Sequence, residues 1–147
     1  MSTLAHSPKR PKRLKSKLIP QEHAMGCGIA CVAFVVGKSY KKIFSHDEES
    51  RRAWTRGYYC SELVDILKIF GRQYSWRALT RRTKKSEIPI GSIVFMRRSR
   101  QWPEGHYLVK VGENKYMNPW INAPSIKNVR AGFQTSIDVI THVITPI

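Results

Sequence analysis

Residues 26–37 constrain this chain most: ten residues held between two glycines, Cys-Gly-Ile-Ala-Cys-Val-Ala-Phe-Val-Val, with no charge to interrupt them. The run is too long for an ordinary buried strand, so it predicts a helix that starts near Cys27, is buried all round and stops at Gly37. A helix that is apolar on every side must be wrapped by the rest of its domain. With 147 residues, 41% of them hydrophobic, the chain is long enough to do so as one compact domain without covalent staples. A second helix is predicted to open at Ser61 as N-cap and end at Gly71, with Leu63, Ile66, Leu67 and Phe70 on one face. Strands are expected over 88–96, 106–111, 114–117 and 139–144, with Gly112-Glu113 as a hairpin turn. Helices first and antiparallel strands afterwards make an α+β domain over residues 19–147.

Charge sets a second boundary. Twenty-six Lys and Arg against ten Asp and Glu leave a net +16. Residues 1–18 hold Lys9, Arg10, Lys12, Arg13, Lys15 and Lys17 with no acid, which reads as a disordered basic tail, serving as an anchor or as an import address. The remaining 129 residues are still at +10. Three clusters carry that excess: Arg51, Arg52 and Arg56 beside Trp54; Arg77, Arg81, Arg82, Lys84 and Lys85 beside Trp76; Arg97, Arg98 and Arg100 beside Trp102. Arginine and tryptophan together can neutralise phosphates and stack on bases, so nucleic acid or another acidic partner is one expectation; a core or rim role for the tryptophans is the plainer one. No apolar run approaches the roughly 18 residues of a membrane-spanning helix, and no apolar stretch follows the N-terminal charges as in a secretory signal. Three cysteines are too few for a disulfide scaffold and fit a reducing compartment or a working thiol. A cytoplasmic or otherwise intracellular location is therefore expected.

The chemistry gathers at four positions. Cys27 stands at the start of the buried helix, where unpaired amides and the helix dipole favour a thiolate, so a lowered thiol pKa is expected there. Cys31, one turn later, and Cys60 read as small buried hydrophobes. His106 follows Gly105 and opens a strand, from which an imidazole can face a cleft while the strand behind it packs; it is the candidate base. Asn118, before Pro119, closes the following strand and can accept the proton of the second ring nitrogen. Gln21, six residues before Cys27, can donate to an oxyanion together with the Cys27 amide. His23 is a rival base on a less anchored loop. His46 with Asp47, Glu48 and Glu49 reads as solvated surface, and the Cys and His spacings match no zinc site, so neither metal nor cofactor is expected. His142 and Asp138 are not expected to face each other.

Gln21, five intervening residues, Cys27-Gly28-Ile29-Ala30-Cys31, a helix ended by Gly37, Gly105-His106-Tyr107-Leu108-Val109 and Tyr116-Met117-Asn118-Pro119 together resemble the papain-like cysteine peptidases with which bacteriocin ABC transporters remove double-glycine leaders. The resemblance runs over most of residues 19–122. It implies a papain-like fold, N-terminal helices packed on an antiparallel sheet, with Cys27 as nucleophile, Gln21 in the oxyanion hole, His106 as base and Asn118 orienting it. Three departures bear on function. The family usually has an acid just before the cysteine, where this chain has Gly26, and an Asp before the proline, where it has Asn118. Its transporters continue into membrane helices and an ATPase, whereas this sequence ends at Ile147, so a free-standing domain that acts alone or docks on a partner is expected.

Two functions follow from different classes. One is a cysteine peptidase or related thiol-dependent amide hydrolase acting on a peptide or protein. The alternative keeps the papain-like frame as a scaffold for a basic Arg/Trp surface that binds nucleic acid or another polyanion, as in a phage or toxin effector. The same thiol and imidazole also suit deamidation, acyl transfer, isopeptide cleavage or nuclease chemistry.

Overall fold

The computed structural model describes residues 17–147; residues 1–16, which hold most of the basic tail, lie outside the described residues. Among the described residues, three α-helices pack on one face of a six-stranded antiparallel sheet, the expected α+β arrangement. Helix α1 (Cys27–Val36) is buried at every residue except Val35, as a run with no polar face requires. Gly37 ends it at φ 78°, a left-handed cap whose N–H returns to the Ala33 carbonyl. Helix α2 (Tyr40–Ser45), missed in the sequence, is one and a half turns capped by Ser39, whose hydroxyl accepts the Lys42 N–H at 3.1 Å. Helix α3 (Cys60–Ile69) buries Leu63, Ile66 and Leu67, the i, i+3, i+4 stripe of the sequence.

The start of α3 is a correction. Ser61 is not the cap; it lies in the first turn, and Tyr59 precedes the helix. Glu62 supplies what the serine was expected to, accepting the Tyr59 N–H at 2.8 Å. A carboxylate near the helix N-terminus is favoured by the dipole as well as by the bond.

The sheet runs β1 (Tyr74–Ala78), β6 (Ile140–Pro146), β2 (Ile93–Met96), β3 (His106–Gly112), β4 (Lys115–Asn118), β5 (Gly132–Gln134), every neighbouring pair antiparallel. Strands β1 and β5 escaped the sequence reading because both are edges with mostly exposed or half-buried residues, which leaves no apolar alternation to see. The expected strand over 88–96 is shorter, since Pro89 to Gly91 turn before β2 begins, and the hairpin turn is Glu113-Asn114.

Strand β3 is buried along its whole length because both faces of the sheet are covered. Tyr107, Val109 and Val111 meet α1 and α3, while Leu108 meets a second core of Val94, Met96, Trp102, Tyr116, Ile140 and Val143 under the loops. Lys110, on that loop-covered face, is 1% exposed and donates to the Lys85 and Ile88 carbonyls at 2.7 and 2.8 Å, which ties the 85–88 segment down. With both sides packed, the two ends of β3 are the places where side chains from the helical and the loop-covered halves can share a cavity.

Candidate active site

His106 is the first residue of β3 and is 2% exposed. Its Nε2 lies 2.7 Å from Asn118 Oδ1, at the end of the adjacent strand β4. Asn118 is itself fixed: its Oδ1 also accepts the Trp120 N–H at 2.9 Å, and its Nδ2 donates to Gln134 Oε1 on β5 at 2.8 Å. A backbone N–H can only donate, so the oxygen of the amide faces the ring and His106 Nε2 is the donor in their bond. The neutral imidazole then carries its proton on Nε2 and keeps Nδ1 as acceptor. Trp102 lies flat on the His106 ring, with centroids 3.6 Å apart and planes 7° apart. That indole covers the hydrogen bond from water; it is buried, and the expectation that Trp102 joins a nucleic-acid surface is overturned by its place in the core.

Cys27 is the first residue of α1, behind Gly26, which offers no side-chain cap. Its thiol and His106 line the same cavity of about 280 Å³, together with Ala24, Met25, Trp102 and Trp120. Burial pushes the thiol up to about 11, while the N–H groups of Tyr107, Gly28 and Cys27 itself pull the other way. The expected lowering at the helix start is therefore overcome: three amide donors do not repay the loss of water around a thiolate. Burial also pushes His106 down to about 4, against the hydrogen bond to Asn118 that favours the charged ring. Both shifts favour neutral thiol and neutral imidazole over a preformed ion pair.

Gln21 is 3% exposed and sits between the two halves of the site. Its N–H bonds the Pro119 carbonyl at 3.1 Å, next to Asn118, and its Nε2 donates to the His23 and Ala24 carbonyls at 3.0 Å each. Both amide hydrogens thus hold the loop that leads into Cys27, so the expected donation from the Gln21 side chain to an oxyanion is not offered in this arrangement.

Position 26, just before Cys27, has no room for a side chain. A Cβ built there would collide with the Tyr40 hydroxyl, so the space beside position 26 belongs to α2. The same hydroxyl is 2.9 Å from His23 Nδ1, and His23 stacks on Phe44 with centroids 4.5 Å apart. His23 is thereby held in an aromatic packing cluster and not in the cavity with Cys27. Gly26→Asp is expected to displace Tyr40 and destabilise the protein by about 2 kcal/mol, read as a lower midpoint in urea with the slope unchanged; an unaltered midpoint would show that α2 gives way freely.

The remaining candidates divide cleanly. Cys31 is fully buried in the helical core, and Cys60 is half-buried with its Sγ 3.5 Å from the Tyr107 hydroxyl. Asp47 accepts from the Tyr58 hydroxyl and caps the Glu49 N–H at 3.0 Å. Among the described residues, no three His, Cys, Asp or Glu side chains come together as metal ligands. Arg52 and Arg56 are both paired with Glu62, at 2.8 and 2.7 Å, while Trp54 and Trp76 are about half exposed. Asp138 pairs with Arg97 and His142 bonds Thr141, so the two do not face each other.

A larger cleft of about 690 Å³ adjoins the cavity of Cys27 and His106, the two sharing Glu104. Its sheet wall is a row of rings from four neighbouring strands: Trp76, His142, Phe95 and Tyr107. Adjacent rings in the row have centroids 6.2, 6.1 and 4.8 Å apart. The sequence reading missed this cleft, Trp120 and Gln134. For Trp120 a signal existed, since Asn-Pro marks a turn in which the Asn side chain bonds the backbone two residues on.

Compared with protein-family models, the chain matches none, and no curated protein matches it. Among the described residues, no helix is long and apolar enough to cross a membrane.

Proposed function

We propose that this protein is a papain-like, thiol-dependent amide hydrolase, most simply a cysteine peptidase. The observation that carries the reading is the 2.7 Å bond from His106 to an Asn118 oxygen anchored by the Trp120 N–H, in a cavity that His106 shares with Cys27. A buried histidine kept neutral, with one tautomer enforced, is what a general base needs and what a core histidine does not.

As substrate binds, His106 Nδ1 takes the Cys27 proton and the sulfur attacks the carbonyl carbon. The tetrahedral oxyanion is met by amides at the start of α1 that have no carbonyl partner within the helix, those of Cys27 and Gly28, which face the sulfur before attack. Gln21 holds the loop before Cys27, which sets where those amides point. The imidazolium returns its proton to the leaving nitrogen, the C–N bond breaks, and a thioester remains on Cys27. Water, deprotonated by His106, releases the acid and restores the thiol. The ring-walled cleft next to Glu104, with its volume of about 690 Å³, has room for the flanking residues of a peptide, which supports a peptide substrate over a small amide.

The test is a peptide pool incubated with wild-type protein and with Cys27→Ala, read by mass spectrometry; cleavage by the first alone is expected, and equal behaviour would sink the reading. The pH profile carries a signature. The working pair is neutral, so kcat/KM is lost as His106 protonates with falling pH. Because burial sets that step near 4 and not near the ordinary 6.5, activity is expected to hold at pH 5 and fall only below it. An acid limb centred near pH 6.5 would mean an imidazole in contact with bulk water.

The half-exposed Trp54 and Trp76 on a basic chain favour a second reading, polyanion binding on the same frame. Its mark is affinity for single-stranded nucleic acid that falls steeply with salt.

A further inference from the structure

We propose that Gln134 is a positioning residue for the base, holding the Asn118 amide in the one orientation that keeps the His106 proton on Nε2. The proposal builds on His106 as the base of the reaction above. Its ground is a hydrogen-bonded row with a backbone group of unambiguous polarity at each end. At one end the Trp120 N–H, which can only donate, reaches Asn118 Oδ1 at 2.9 Å. At the other the Ser136 carbonyl, which can only accept, takes Gln134 Nε2 at 2.9 Å.

Every bond between those ends then has its direction set. With Nε2 given to Ser136, Gln134 turns Oε1 toward Asn118, 2.8 Å from Nδ2. Asn118 therefore donates to Gln134 and offers Oδ1 to the ring, which must put a proton on the facing nitrogen at 2.7 Å. Each end opposes a flip of the amide, and it takes both to hold the single orientation. A flipped Asn118 would set its NH₂ group against the Trp120 N–H and its oxygen against Gln134 Oε1; Asn118 is 2% exposed, so the first clash has no relief from solvent, and the second forfeits a hydrogen bond at the partly buried Gln134 end.

The same row accounts for the second departure from the family pattern. An aspartate at 118 could still accept from His106 and Trp120, but it has no hydrogen for Gln134 Oε1. Two acceptors would face each other at hydrogen-bond distance, unless Gln134 turned over and gave up Ser136. Strand β5 is thus tied to the choice of asparagine: it places Gln134 beside β4, with Gly132 paired to Asn118 and Gln134 paired to Tyr116.

The experiment is ¹⁵N NMR of the His106 ring in the full chain, near neutral pH, for wild type, Gln134→Met, Gln134→Ala and Gln134→Glu. Wild type is expected to show a single Nε2–H tautomer with an exchange-protected ring proton. Gln134→Met and Gln134→Ala remove the acceptor and are expected to lose that protection and mix the tautomers. Gln134→Glu keeps an acceptor for Asn118 while losing the donor to Ser136, and is expected to restore the wild-type spectrum. A merely structural glutamine predicts instead that Gln134→Glu groups with Gln134→Met and Gln134→Ala, since all three variants lose the Ser136 bond alike. In turnover, kcat should fall in Gln134→Met by between about 10-fold and the roughly 10⁴-fold that a wrong tautomer costs, with KM little changed and Gln134→Glu near wild type. An unchanged tautomer in both Gln134→Met and Gln134→Ala, or Gln134→Glu grouping with them, would overturn the proposal. If the spectra follow expectation while no peptide is cleaved by wild type, the positioning role stands and only the amide chemistry falls.

Discussion

Cys27→Ala and His106→Ala are each expected to lower amide turnover by about 10⁴-fold or more, and the double variant is expected to be no slower than either. Nucleophile and base act as one unit: without the thiol there is no proton for the imidazole to take, and without the base the thiol, held up to about 11 by burial, stays protonated at neutral pH. The measurement is kcat/KM for the four proteins of the cycle on one peptide, with thermal unfolding alongside. Cys27→Ala removes one sulfur from a small cavity and should leave the fold standing. Multiplicative losses in the double variant would mean that the two side chains act independently, and the dyad would be abandoned.

The second large effect is expected from a residue with no functional group. Gly105 precedes His106 with φ 78°, and a Cβ there would run into the Phe95 ring and the Met96 carbonyl. Gly105→Ala therefore combines a left-handed backbone, which costs about 1–2 kcal/mol for a residue with a Cβ, with overpacking, typically another 1–3 kcal/mol. A total of about 3 kcal/mol corresponds to a midpoint roughly 10 °C lower. Because the strain falls on the peptide that carries His106, kcat should drop further than stability alone explains. Gly71→Ala is the control: φ is 74°, but nothing lies within 4 Å of the added carbon, so only the backbone cost remains. Equal losses at the two sites would show that Phe95 makes room, and Gly105 would lose its claim to place the histidine.

The two positions illustrate why some of the site was legible and some was not. Cys27 and His106 stand where local grammar puts them, at the opening of a glycine-bounded helix and at the first residue of an apolar strand, and Asn118 ends the next strand before a proline. Such positions follow from the order of residues along one element. Gln134 belongs to a three-residue edge strand whose burial is only partial, so nothing in its own neighbourhood marks it. Trp102 carried two readings, and the plainer one, a core or rim ring, is borne out while the nucleic-acid surface is not. Set among Arg97, Arg98 and Arg100 it reads as a basic stacking surface, yet the chain turns it under the sheet and onto His106. The arginines stay outside while the ring goes in, because sequence proximity says nothing of which side of a loop each residue takes.

Electrostatics divides in the same way. The basic excess is a property of composition, and it survives in the structure. How much of it is available is decided by packing: Arg52 and Arg56 converge on Glu62 from six to ten residues away, and Arg97 meets Asp138 from the far end of the chain. The helix start was expected to stabilise a thiolate, and its amides do reach the sulfur. What reverses the outcome is the depth at which α1 is buried, since the cost of stripping water from a charge exceeds what three backbone donors return.

By itself the sequence determined the class of the fold, the buried helix with its glycine stop and the central strands, and it marked Cys27, His106 and Asn118, on which the proposed thiol chemistry rests, because each is written in local periodicity, capping or turn signals. Only the tertiary structure decided that His106, Asn118 and Gln134 form one directed row, that Tyr40 fills the space beside Gly26, and that thiol and imidazole rest uncharged. Those are consequences of which strands lie side by side and of how far water is excluded, and both arise from contacts between residues distant along the chain.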